Sequence, residues 1–350
     1  MNNIATGKYR NLDNQEYWQQ RSLEVVNTKW NDIKVVEKEL KKQYRLAVND
    51  IQNELQAFYQ RYADENNLTY SQAMQQLNSR EIGDYASRMQ RLQQQMTATN
   101  NPFAISEMQQ LVKQGQLQRL SSLLAEIDGR LLLLGHSEQM EMFTWLNDVY
   151  ESTYYQTGFN TARGTGLGLS FTRLNERAIV EAITYPWSGM MFSERIWNNR
   201  RKLSFELKQT ITNGLIRGSS VQRMSRELSD KMDSSYKNSL RLIRTETAEV
   251  LTSASSKSYE EYRLDEYQFM ATLDKKTSSV CKGLDGQVFK LKDKQAGVNA
   301  SPMHANCRSC IVPYFDGMKI EKRWSKLPDG EKRYVDGNIS YDEWHDTYVN

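Results

Sequence analysis

The chain has little of what stiffens or cross-links loops. Only 5 Pro and 18 Gly occur in 350 residues, too few for a collagen or a turn-dense β sandwich. Three Cys cannot build a disulfide frame and read instead as thiols or metal ligands. No apolar run approaches the ~20 residues that cross a bilayer. The longest short one, Leu131-Leu132-Leu133-Leu134, ends at Gly135. The amino-terminal stretch MNNIATGKYRNLDNQEYW lacks the apolar centre of a signal peptide, so a chain made and kept in a cytosol is expected. His is as scarce as Cys: His136 and His345 stand without a ligand-spaced companion and read as surface or interface residues. No Ser-His-Asp set, nucleophile elbow or carboxylate cluster is recognisable, which argues against hydrolytic chemistry.

What the chain does have is apolar residues at helical spacing. Trp30, Ile33, Val36, Leu40, Tyr44, Ala47, Ile51, Leu55, Phe58 and Tyr62 recur in steps of three or four, which keeps them on one face of a long helix. A weaker pattern runs from Leu68 to Met96 and is broken at Asn100-Asn101-Pro102. A third stripe, Leu117 to Leu134, follows a Ser106 cap and stops at Gly135; a fourth helix spans Met140–Tyr155. Gly158 to Gly168 then reads as a flexible linker, or less readily as a phosphate-cradling loop, because no Lys-Ser/Thr follows it. Helical signals resume at Phe171–Ile183, Phe192–Leu215, Val221–Met232 and Tyr236–Arg263.

Charge is unevenly distributed. Residues 163–244 carry 15 Lys/Arg against 7 Asp/Glu, although the whole chain is only +3. Such a block suits an acidic partner, nucleic acid or a carboxylate-rich protein, and equally suits a solvated helix surface. Its candidate partner-binding residues are Arg195, Arg200, Arg201, Lys202, Arg217, Arg223 and Arg226.

From Tyr267 the texture changes to short alternating strands at Tyr267–Leu273, Gln287–Leu291 and Ile311–Phe315, with an Asp285-Gly286 turn. All three Cys and one His fall here, as Cys281, His304, Cys307 and Cys310 in the spacing C-x22-H-x2-C-x2-C. Thiolate and imidazole are what tetrahedral Zn²⁺ prefers, and four protein ligands would make the site structural rather than catalytic. The alternative is three buried reduced thiols beside a hydrogen-bonded His. A deaminase-type zinc site is disfavoured, because His304 is followed by Ala305 and Asn306 where His-x-Glu is needed, and Asn306 stands where Pro would precede Cys307. Arg244 and Glu246 read as a structural ion pair sooner than as a catalytic couple.

The fold expected is therefore mainly α with a small α+β C-terminal module: long helices or a helical bundle, then a short-stranded β module that zinc could staple. The expected divisions are a helical arm or bundle over 1–160, a basic helical section over 170–264, a Cys/His module over 265–316 and an interaction tail over 317–350. In that tail Trp324, Tyr334, Tyr341, Trp344 and Tyr348 sit among charges, and Ser340 with Glu343 forms a capping box for a brief helix.

Arg244-Thr245-Glu246-Thr247, Ala271-Thr272-Leu273-Asp274 with Thr277 and Cys281, Leu284-Asp285-Gly286-Gln287-Val288-Phe289, and Ser301-Pro302-Met303-His304-Ala305-Asn306-Cys307-Arg308 with Val312-Pro313 occur in one order. That ordered set resembles the minor head (head-morphogenesis) proteins of tailed bacteriophages related to the phage Mu F protein. Pro186-Trp187-Ser188-Gly189 and Gly214-Leu215…Gly218-Ser219-Ser220 extend the resemblance upstream, to about residues 170–316. The resemblance implies a non-enzymatic minor capsid protein of the virion, made in the bacterial host cytoplasm. It would sit at the portal vertex in the capsid interior, in multiple copies around the portal protein. There it would touch other head components, with packaged DNA as a further candidate partner, and aid head assembly and genome packaging or ejection. Many relatives carry a second Cys soon after the first; here Lys282, Gly283 and Leu284 follow Cys281. Two further classes remain: a nucleic-acid-binding head protein using the 163–244 block, and a zinc-dependent or toxin-like enzyme. The ~35 residues beyond the resemblance are too few for an appended catalytic domain.

Overall fold

The computed structural model describes residues 15–64, 119–165, 173–217, 219–315, 322–326 and 332–336, with single positions at 94, 106, 343 and 347. The expected helix over 68–96, the Asn100-Asn101-Pro102 break, His345 and most of the brief terminal helix lie outside these residues. The chain is mostly helical, with a small antiparallel sheet toward its C-terminal end. In order, the helices are α1 (Gln15–Asp64), α2 (Arg119–Thr165), α3 (Glu176–Thr184), α4 (Phe192–Ile216) and α5 (Val221–Glu261). There follow β1 (Glu266–Met270), α6 (Ser279–Leu284), β2 (Val288–Lys290), a 3-10 turn at Leu291–Asp293, β3 (Cys310–Pro313), β4 (Lys322–Lys326) and β5 (Lys332–Asp336).

Three expected breaks are absent. Gly135 does not stop a helix: α2 runs through it to Thr165, merging the third and fourth expected helices and absorbing the start of the glycine loop. A Cβ at Gly135 would stand 2.7 Å from Cγ of Arg200 and 3.1 Å from the Trp197 ring, so the residue is small to admit α4. Likewise the segments Val221–Met232 and Tyr236–Arg263 are one helix, α5. Helix propensity there is poor at several Ser and Asp positions, but a buried stripe at helical spacing (Met224, Leu228, Met232, Ser235, Ser239, Ile243, Thr247, Val250, Ala254) carries the helix across them.

The chain divides into two compact units that interleave along the sequence. One comprises residues 35–142 and 192–240. Its core draws Tyr44, Ala47, Ile51 and Leu55 from α1, Ile127, Leu131 and Leu134 from α2, Leu203, Leu207 and Ile211 from α4, and Met224, Leu228 and Met232 from α5. Each set recurs every three to four residues, as a bundle of amphipathic segments requires. The other unit comprises residues 1–34, 143–191 and 241–350. There Trp145 Nε1 donates to Thr247 Oγ1 at 2.9 Å, Trp187 Nε1 donates to Glu246 at 2.9 Å, and buried Lys29 pairs with Asp148 at 2.7 Å.

That second unit holds the sheet, in the order β2-β1-β3 with both neighbours antiparallel to β1. Tyr267 stands opposite both Phe289 and Pro313, and Phe269 opposite Ile311. Tyr259 from the end of α5 joins Tyr267, Leu291, Ala300 and Ile311 in one apolar cluster; Phe269, Ala271, Cys281 and Cys307 form the next. The expected tail contains a regular hairpin, β4 against β5, with Trp324 opposite Tyr334.

Candidate functional site

Two of the Cys and His304 come together, and local rules explain how. Ser278 caps α6 by accepting from Cys281 N at 3.2 Å, which holds the buried Cys281 in the first turn. After α6, Asp285 accepts from Ala271 N at 2.9 Å and Gly286, at φ +79, donates to Phe269 O at 2.9 Å. The Asp285-Gly286 turn therefore pins α6 to β1 as well as starting β2. On the other side, Cys307 N donates to His304 O at 3.1 Å, closing a tight turn through Asn306 at φ +58. Asn tolerates that left-handed backbone better than most residues. Asn306 N donates to Thr245 Oγ1 of α5 at 3.0 Å. The next residue, Arg308, grips Asp274 with both guanidinium nitrogens, one at 2.8 Å, and its carbonyl accepts from Thr272 Oγ1 at 3.0 Å.

Cys281 Sγ lies 3.3 Å from His304 Nε2 and 3.8 Å from Cys307 Sγ, and the three donor atoms all lie within 4.8 Å of one another. Both Cys are buried and His304 is exposed. His304 Nδ1 lies 3.0 Å from Ala305 O, a contact that fixes the proton on Nδ1 and leaves the Nε2 lone pair facing the sulfurs. A hydrogen bond from Cys281 holds Cys307 well below the ordinary thiol range, aided by donors from Ser301 and the local backbone. That same hydrogen bond, with burial, pushes Cys281 up. Burial alone would raise Asp274, but hydrogen bonding and the charge of Arg308, with bonds from Lys276 N and Thr277, hold its carboxyl below the usual carboxylate range.

Cys310 does not join this group. It is buried on β3 opposite Met270, one residue out of step with Ile311 opposite Phe269. Successive strand side chains leave opposite faces of a sheet, so Cys310 is turned away from the face that carries Phe269, Cys281 and Cys307. A linear C-x2-C spacing suggests a ligand pair, and the strand register breaks it.

The basic residues also separate. Arg201, Lys202, Arg217, Arg223 and Arg226 are exposed, and Arg195 is half-buried. Lys202 and Arg223 are engaged on their own helices with Glu206 and Glu227. Arg200 is the exception: it is 3% exposed, 3.1 Å from the fully buried Glu138, and 4.9 Å over the Tyr44 ring. It donates to the hydroxyls of Tyr44 and Ser235, the latter at 3.1 Å, and Tyr44 shares a hydrogen bond with Ser239 at 2.8 Å. Arg200 thus belongs to a buried network drawn from α1, α2, α4 and α5, and cannot face a partner. Sequence reasoning missed Glu138 altogether. The faint signal was its place in α2 one turn from Gly135, the residue that admits Arg200. His136, expected on the surface, is buried as well, and burial lowers its pKa.

Among the described residues no helix is long and apolar enough to cross a membrane. The chain is 26% identical over 246 residues to the NAD(+)–arginine ADP-ribosyltransferase EFV of Enterococcus faecalis, which covers 66% of this chain and 49% of that protein. It is 22% identical over 191 residues to an uncharacterized protein of Haemophilus influenzae, covering 54% of this chain and 42% of that one. The chain thus spans about half the length, or less, of these curated relatives. No solved structure matches it. Residues 206–312, from within α4 through α5 to β3, match the family described as Phage Mu protein F like protein. Through that segment, which includes the Cys281–His304–Cys307 group and the Arg308–Asp274 clamp, the chain is related to the phage Mu F head-morphogenesis family.

Proposed function

We propose that the protein is a minor component of a tailed-phage head, without enzymatic turnover, that binds the portal vertex from the capsid interior and aids head assembly and genome packaging or delivery. The observation that carries this reading is the match of residues 206–312 to the Mu F-like family. The activity in the name of the Enterococcus faecalis relative belongs to a protein of which this chain matches about half.

The docking face follows from exposure. Of the candidate partner-binding residues, Arg201 and Lys202 on α4 and Arg217, Arg223 and Arg226 beyond it are exposed. They suit a carboxylate-rich portal surface repeated around a ring. When co-expressed with the portal protein of the same phage, the chain is expected to co-purify, and Arg201→Glu with Lys202→Glu to weaken that association at least tenfold. Unchanged co-purification would remove this face from the contact. The same exposed cations favour a second reading, contact with packaged DNA. That reading requires affinity for duplex to fall steeply with salt in proportion to the phosphates neutralised.

A further inference from the structure

We infer that Cys281, His304 and Cys307 form a three-ligand site for a thiophilic divalent cation, Zn²⁺ by preference, whose fourth position faces solvent beside His304. The inference rests on geometry and is independent of the head assignment. Around a tetrahedral Zn²⁺, with bonds of about 2.3 Å to sulfur and about 2.0–2.1 Å to imidazole nitrogen, two thiolates stand about 3.8 Å apart and a thiolate and nitrogen about 3.6 Å. The separations here are 3.8 Å between the sulfurs and 3.3 Å between Cys281 Sγ and His304 Nε2. One cation therefore fits between donors that already converge.

The surroundings are those of a metal site. The imidazole presents Nε2 because Nδ1 is held against the Ala305 carbonyl, which is how ligating His residues are oriented. Ser301 Oγ donates to Cys307 Sγ at 3.5 Å, and the α6 cap places Cys281 N against Ser278. Both features brace the ligands from behind. Two sulfurs are buried but the imidazole is exposed, so the vacant apex of the tetrahedron lies on the open side of the module. With no carboxylate in the group, the fourth ligand is water or a small exogenous donor. The cation would clamp α6 to the 304–307 turn, and that turn is already bonded to α5 through Thr245 and to Asp274 through Arg308.

Cys310 separates this site from a closed four-ligand one. The full-length chain, purified without chelator or reductant, should contain about one Zn²⁺ per molecule. Cys310→Ala should retain it; Cys281→Ser and Cys307→Ser should lose it. Because buried Cys→Ser changes also threaten folding, His304→Ala on the exposed side is the decisive variant. It should leave the circular dichroism unchanged yet weaken Zn²⁺ binding by more than about tenfold, the scale seen even for outer-shell partners. Replacement by Co²⁺ should give tetrahedral d–d bands and a thiolate charge-transfer band, and 2-mercaptoethanol should shift them by entering the fourth position. Three outcomes would overturn the inference: metal-free protein whose denatured form titrates one thiol, equal loss of metal in Cys310→Ala, or a cobalt spectrum insensitive to added thiol.

Discussion

Replacing Arg200 by Met tests the buried network directly. Arg200 and Glu138 are 3% and 0% exposed and 3.1 Å apart. At an effective dielectric of about 20 their attraction is about 5 kcal/mol, most of it offset by the cost of desolvating both ions. Removing one partner leaves the other charge buried without compensation, which costs about 3–5 kcal/mol. With a urea m-value of about 2 kcal/mol/M, the unfolding midpoint should fall by about 2 M at pH 7.5. Acid should rescue the variant. Burial already pushes Glu138 up to about 7, and loss of the guanidinium raises it further. A carboxyl whose folded pKa exceeds its unfolded one favours folding below the unfolded value, about 4.3, and loses that contribution as pH rises through the folded value. Urea melts at pH 5 and pH 7.5 should therefore converge toward wild type at the lower pH. The double variant with Glu138→Leu should recover to within about 1 kcal/mol of wild type, since an apolar replacement of both ions is close to neutral. A single variant within about 1 kcal/mol of wild type at pH 7.5, or a double variant as unstable as the single one, would refute the pairing.

Two further outcomes follow from close contacts elsewhere. Gly135→Ala improves helix propensity in α2 but places a Cβ against Arg200 Cγ at 2.7 Å; overpacking should dominate, with a loss of about 1–3 kcal/mol in urea unfolding. A more stable variant would show that α4 yields without cost. Asp274, held low in the folded chain, contributes stability that is present above its unfolded pKa and lost as pH falls through the folded value. Amide protection factors across the turn around Arg308, corrected for the intrinsic pH dependence of exchange, should therefore fall on acidification in wild type but not further in Asp274→Asn, and an identical acid response in both would discount the clamp.

Much of the fold was legible because burial imposes period. The stripe from Ile33 to Phe58 lies almost wholly in the interior, and the three strands fall where alternation puts them. The weak points were glycines and polar residues. Gly135 and the Ser/Asp-rich middle of α5 look like helix ends when local propensity is weighed alone. Tertiary contacts override them, since a helix whose one face is continuously buried tolerates a poor residue on it. The family was readable from an ordered set of short motifs that include residues with local roles, such as the turn at Asp285-Gly286 and the left-handed Asn306.

Which chemical groups share a site is a different matter. Spacing in the chain names Cys281, His304, Cys307 and Cys310 as candidates, because ligand chemistry depends on residue type. Sheet register decides that Cys310 leaves by the opposite face, since one residue of offset reverses a strand side chain. In the same way composition places Arg200 in a basic block, while four helices closing around it turn a surface cation into the buried partner of Glu138. Residue identity and periodicity are carried along the chain; which face a side chain ends on, and what pairs with it across some sixty positions, depends on packing that no local pattern encodes.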